Sequence, residues 1–307
     1  MRHRPLAVAA LAVVALTLTA CSSDGDPGGT GGTGGGADGD AIAVVASTNV
    51  WGDVVSQVGG DLVSVTSIVD DPSADPHSYE GSARVQLELS RADLVVLNGG
   101  GYDDFATTLV DALDTRPPVV DAVEASGLTA PDGGELNEHV WYSLEAVQDV
   151  AGAVADELAR LDPAHADDFA GNAEAFVGTL DGLLDRAAAI GAEHGGAAVA
   201  VTEPVPLYLV AEAGLVDRTP GEFSEAIEEE IDVAPAVMEA MLDLVSSHEV
   251  AFLVYNEQTT GPQTDQVVAA AQDADVPVVR VTETLPEGKD YVTWMTDNLE
   301  AFAQALA

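Results

Sequence analysis

The sequence holds a single cysteine, Cys21, so no disulfide within the chain can brace the fold and no thiolate-rich structural zinc site can form. Lysine is just as scarce, with Lys289 standing alone, and 10 basic residues face 53 acidic ones for a net charge of -43. A surface of that sign repels phosphate backbones, which excludes nucleic acid as a partner, and it is heavily hydrated and concentrates cations. The chain has no H-E-x-x-H and no G-x-S-x-G, so the usual signatures of a zinc hydrolase and of a serine nucleophile are both missing. No apolar run reaches the roughly 18 residues that a membrane-spanning helix needs.

The start of the chain has the features of an export signal. Arg2 and Arg4 precede an apolar run over residues 5–20, which stops at Leu18-Thr19-Ala20-Cys21. Small residues directly before a cysteine form a lipobox. Residues 1–20 are therefore expected to be a signal peptide, and Cys21 is expected to carry lipid that holds the protein on the outer face of the cell membrane. Residues 21–41 are mostly Gly, Ser, Thr and Asp, too polar to bury a core, and are expected to form a flexible tether. Their glycine run is no phosphate loop, because no strand precedes it and no Lys-Ser or Lys-Thr follows.

Beyond the tether, short apolar runs alternate with helical patterns. Strands are expected at 42–47, 62–69 and 94–97, with helices near 50–58, 82–92, 105–113 and 144–161. From 164 to 194 no proline interrupts, and Phe169, Ala173, Phe176, Leu180 and Leu183 recur at helical spacing, so one long helix is expected despite Gly171, Gly178 and Gly182. Strands at 197–202, 250–255 and 278–281 then alternate with helices near 235–246, 263–272 and 291–306. The pattern predicts an α/β protein with two lobes of parallel βα units, 42–163 and 195–307, joined by the 164–194 helix. The second half repeats the first in style but not in sequence.

Ligands of open α/β sheets gather beyond the carboxyl ends of the strands. Four polar residues stand there. His77 lies in Asp75-Pro76-His77-Ser78-Tyr79-Glu80, His139 in Glu138-His139-Val140-Trp141, Glu203 directly after the 197–202 strand and Glu283 after the 278–281 strand. Two imidazoles and two carboxylates make a mixed nitrogen and oxygen site suited to zinc, manganese or ferrous iron. Taken one at a time these residues say little, since a lone loop histidine is usually solvated and a glutamate is common in so acidic a chain. His3 falls in the signal, and His165, His194 and His248 read as surface residues.

Several segments together carry a family resemblance: Asp75-Pro76-His77 with Tyr79-Glu80, Ala92-Asp93-Leu94-Val95-Val96-Leu97-Asn98-Gly99, His139-Val140-Trp141, the long middle helix, and Tyr291-Val292-Thr293-Trp294-Met295 with Asn298-Leu299. From about residue 42 to 306 the chain resembles the cluster A-I solute-binding lipoproteins of zinc and manganese ABC importers. The resemblance implies two lobes joined by one rigid helix, with a metal ion in the cleft between them. By position, His77 and His139 match the two ligands of the first lobe, and Glu203 matches a third that is His in many zinc carriers and Glu in many manganese carriers. Glu283 falls where the family usually has Asp, which leaves Glu257 as an alternative fourth ligand. The stretch 126–138 is short and free of histidine where many zinc members carry a His-rich loop, which leans towards manganese, whereas the general affinity order favours zinc.

The resemblance implies a carrier and not an enzyme: the ion, Mn2+ or Zn2+ with Fe2+ as a further candidate, is captured and passed to ABC permease subunits by a monomer. Four protein ligands would leave no position for an activated water. The competing classes are a secreted metallohydrolase built on Asp75 and His77, and a surface adhesin that shares the fold.

Overall fold

The computed structural model describes residues 41–71, 79–130, 134 and 136–307; the expected signal and tether, Cys21 and His77 lie outside the described residues. Two four-stranded sheets are present. The first contains β1 (Ile42–Thr48), β2 (Val63–Val69), β3 (Leu94–Leu97) and β4 (Val119–Asp121), in the order β2-β1-β3-β4 with every pairing parallel. The second contains β5 (Ala198–Val201), β6 (Val216–Asp217), β7 (Leu253–Asn256) and β8 (Val278–Val281), in the order β6-β5-β7-β8 and again parallel. The two halves thus share one topology. In each, the strand order reverses between the first and third strands, and that reversal opens a crevice at the carboxyl ends where ligands bind.

Parallel sheets are covered on both faces, and the alternating strand residues show which cover lies where. Val44, Ala46, Leu94 and Val96 of the first sheet, with Val199, Val201, Val254, Val279 and Val281 of the second, all face one large core cluster. Their neighbours face outward. Val45, Val95 and Leu97 meet α2 (Ala83–Leu89) and α3 (Asp104–Asp111). Ala200 and Leu253 meet α8 (Gly221–Glu228), α9 (Pro235–Ser246) and α10 (Pro262–Asp273).

The large cluster is filled by α1 (Asn49–Gly59), α4 (Ala122–Ser126), α5 (Leu144–Leu161), α6 (Ala166–His194), α7 (Leu207–Glu212) and α11 (Tyr291–Ala305). It includes Trp51 and Trp141 from the first half and Trp294 and Phe302 from the second, so the two sheets share a core. Cross-half hydrogen bonds reinforce it: Asn49 Nδ2 donates to Leu285 O while Leu285 N donates to Asn49 Oδ1, at 3.2 and 2.9 Å. Tyr142 Oη donates to Thr282 O and Tyr291 Oη to Trp141 O, each at 2.6 Å.

The expected long middle helix is α6, entered through a 3-10 turn at Pro163–His165. Its 29 residues span about 43 Å at the usual rise. Phe169, Ala173, Phe176, Leu180, Leu183, Ala187 and Ile190 bury one stripe. Of its glycines, 171, 178 and 182 have nothing near a side chain there, whereas a Cβ on Gly191 would lie 3.3 Å from Ala213 O. Only Gly191 is needed for a close approach.

Among the described residues, two strands and three α-helices were not expected from the sequence: β4 and β6, and α4, α7 and α8. All are short, from two to eight residues. Among the described residues no helix is long and apolar enough to cross a membrane.

Candidate metal centre

Glu203 follows Thr202 at the end of β5, and the Pro204-Val205-Pro206 that comes next stops the strand from continuing. The carboxylate is thereby held at the sheet edge, 3% exposed. Glu283 takes the equivalent place after β8, 1% exposed. Its Oε1 accepts from Asn256 Nδ2 at 2.8 Å and its Oε2 from Tyr102 Oη at 3.0 Å. The Gln258 side chain fixes the backbone beneath it, accepting from Glu283 N and donating to Thr284 Oγ1.

The first half supplies His139, which is fully buried. Asn98, at the carboxyl end of β3, positions its loop: Asn98 Oδ1 accepts from Trp51 Nε1 at 3.1 Å and Asn98 Nδ2 donates to Glu138 O at 3.0 Å. The His139 ring is oriented by Asn137, whose Oδ1 lies 2.7 Å from Nδ1 and also accepts from the His139 backbone N–H. A side-chain amide oxygen can only accept, so Nδ1 carries a proton and Nε2 faces inward. Asn137 Nδ2 in turn donates to Pro204 O, and Tyr208 Oη to Asn137 O, which ties this loop to the one that bears Glu203.

His139 Nε2 stands 3.3 Å from Glu228 Oε1 and 4.0 Å from Glu283 Oε2. The carboxyl of Glu203 is pushed up to about 8, first by burial and then by the nearby charges of Glu228 and Glu283. The Tyr102 phenol is raised well above its ordinary range by burial and by Glu283. Glu203 Oε2 is buried without a hydrogen-bond partner, and no lysine or arginine is buried among the described residues. Crowded, dehydrated carboxylates with no fixed cation favour either protons or a bound positive ion. Among the described residues no three His, Cys, Asp or Glu side chains already stand around one ligand-sized point.

Of the residues expected from sequence, His139, Glu203 and Glu283 come together from two halves of the chain, and His77 lies outside the described residues. Glu257, the alternative to Glu283, points to solvent and pairs with Arg280 Nη1 at 2.6 Å. Glu228, Tyr102, Asn137 and Asn256 were not anticipated. Tyr102 had a visible signal, because it closes the run Gly99-Gly100-Gly101 just past a strand end, and those glycines have φ of 77°, 69° and 106°. Glu228 had none, as it sits in the acidic run Glu228-Glu229-Glu230 of a chain full of acid.

Comparisons with known proteins place the chain in a family. Manganese-binding lipoprotein MntA of Halalkalibacterium halodurans is 29% identical over 175 residues, which is 56% of this chain and 54% of that one, so the chain spans only about half the length of that relative. Manganese ABC transporter substrate-binding lipoprotein PsaA of Streptococcus pneumoniae is 25% identical over 313 residues, covering 95% of this chain and 96% of its own. The crystal structure of ZnuA superposes with a TM-score of 0.72 at 25% identity, over 86% of this chain and 97% of that one. The family model described as ZnuA, zinc-uptake complex component A, periplasmic, matches residues 44–305, and the chain belongs to that family.

Proposed function

We propose that the protein is the extracytoplasmic solute-binding component of an ABC importer, which captures one divalent transition metal ion and delivers it to permease subunits in the membrane. The observation that carries this reading is the buried carboxyl of Glu203, crowded by two other carboxylates with an unpartnered oxygen and no buried basic side chain. A divalent ion supplies the missing positive charge. His139, Glu203 and Glu283 would hold it together with His77, a set of nitrogen and hard oxygen donors that suits manganese, zinc or ferrous iron. The names of MntA and PsaA support manganese, and the name of the family supports zinc.

The chain divides, in this reading, into a signal over 1–20, a lipidated Cys21 with its tether to 41, lobes over 42–163 and 195–307, and the linking helix over 164–194. The protein acts as a monomer on the outer face of the membrane. Neither the hydrolase nor the adhesin reading is favoured, because a set of protein ligands that closes around its ion supports capture and has no need of a reacting water.

Titration of the metal-stripped protein tests this. One ion per chain is expected, with a melting temperature that rises as metal is added. Glu203→Ala should weaken manganese and zinc alike, and Glu203→His should weaken manganese more than zinc, since imidazole is the softer donor. A protein indifferent to all three metals would end the proposal. Replacing Cys21 with Ala should release the protein from the membrane fraction, and retention after a high-salt wash would place the anchor elsewhere.

A further inference from the structure

We propose that Glu228 is a fifth protein ligand of the captured ion, carried into the site by α8, and that it tilts selectivity from zinc towards manganese or ferrous iron. The inference rests on the metal-carrier reading above. Three observations support it. Glu228 Oε1 lies 3.3 Å from His139 Nε2, closer than Glu283 Oε2 at 4.0 Å. Its charge acts on both Glu203 and Tyr102, so it belongs to the same enclosed group. The buried Glu203 oxygen that lacks a partner lies within this cluster and gives it an open coordination position.

The build of α8 fits a delivery role. Phe223, Ala226 and Ile227 anchor one side of the helix in the outer core of the second sheet, which fixes how its last residue projects. The helix ends sharply: Glu230 N donates to Ile227 O and Ile231 N to Ala226 O, with Glu230 at φ 54° in the left-handed position that glycine prefers. Glu228, Glu229 and Glu230 thus crowd a helix carboxyl terminus, where the helix dipole already disfavours negative charge. A cation held by Glu228 relieves that repulsion.

The chemistry of the enlarged set then follows. Zinc is satisfied by four ligands in a tetrahedron, whereas manganese and ferrous iron take more ligands and favour oxygen. A third carboxylate therefore supplies what the larger coordination shell needs and what zinc has no use for. Its added negative charge also favours any divalent ion over the empty site.

The test uses the full-length chain in detergent, stripped of metal, with Co2+ as the spectroscopic probe and Mn2+ and Zn2+ in competition titrations. The variants are Glu228→Gln, Glu228→Asp and, as the control on the parent reading, Glu203→Gln. In the wild type the cobalt d–d absorption should be the weak band of a five-coordinate ion. Glu228→Gln should intensify it towards the four-coordinate form and lower manganese affinity by at least about tenfold, with a smaller loss for zinc. Glu228→Asp, with its shorter carboxylate, should fall between the two. Unchanged cobalt spectra in both Glu228 variants, with equal losses for both metals, would overturn Glu228 as a ligand even where Glu203→Gln weakens binding. No cobalt band in the wild type, and no effect of Glu203→Gln, would overturn the carrier reading itself.

Discussion

The two sheets have the same strand order and opposite ways of presenting chemistry. In the second half the proposed donors sit just past strand ends: Glu203 follows β5 and Glu283 follows β8, and the β7 end adds Asn256 to hold the Glu283 carboxylate. In the first half the proposed donor His139 sits on a loop, steadied by Asn137 beside it and by Asn98 and Tyr208 from other segments. A strand end fixes a side chain through the sheet itself, whereas a loop must borrow rigidity from side-chain hydrogen bonds. In the proposed site Glu203 and Glu283 are therefore held by the second sheet itself, and His139 is held by side-chain hydrogen bonds.

That contrast is sharpest if the two halves fold as one body, which Phe176 tests with the largest effect. It projects from α6 with its ring 6.3 Å from that of Tyr291 on α11, and it is 5% exposed. Phe176→Ala should lower stability by about 3–5 kcal/mol in one cooperative unfolding transition. Two separate transitions in calorimetry, one unaffected, would mean that the halves are independent after all.

A smaller effect is expected at Glu212, where α7 of the second half caps α5 of the first. Its Oε1 accepts from Ser143 Oγ and Leu144 N, and burial raises its carboxyl from the ordinary 4.5 to about 7. The folded state therefore binds this proton more tightly than the unfolded state. The corresponding stability is present below about pH 4.5 and is lost as pH rises through about 7. Glu212→Gln keeps an acceptor oxygen and removes the titration, so the metal-free variant should gain about 1–3 kcal/mol over the parent at pH 8 relative to pH 5. Urea melts at the two values measure it, and a difference independent of pH would refute the assignment.

The smallest change concerns the linking helix. Gly178→Ala meets no neighbour and should raise stability by up to about 1 kcal/mol, whereas Gly191→Ala presses on Ala213 O and should lower it. Thermal melts that move in the same direction for both would show that the close approach at Gly191 has slack.

Much of the fold was legible because long periodic segments carry their own signal. The limits of β3, β8, α5 and α9 match the expected ones, and Glu203 and Glu283 stand just past strand ends as expected, whereas His139 stands on a loop. The elements that escaped have too little periodicity to read. β4 and β6 have three and two residues, and Pro117-Pro118 directly precedes β4. α8 buries only Phe223, Ala226 and Ile227, and its glutamates look like ordinary surface acid. Tyr102 follows a glycine run that marks a turn past a strand end, but Asn137 reaches the site only through a loop whose course depends on tertiary hydrogen bonds, which no local pattern encodes.

The shared core also governs how the protein must be made. Tyr291 N donates to Asp53 Oδ2 across 238 residues, and α11 brings Trp294, Met295, Leu299 and Phe302 into the cluster that already holds Trp51 and Val54. The earliest helix cannot complete its packing until one of the last has arrived. A nascent chain stalled short of Tyr291 would leave Trp51 and its neighbours without their apolar cover, and closing contacts so distant in sequence slows the search for them. Such a chain keeps part of its apolar core uncovered until synthesis is nearly complete.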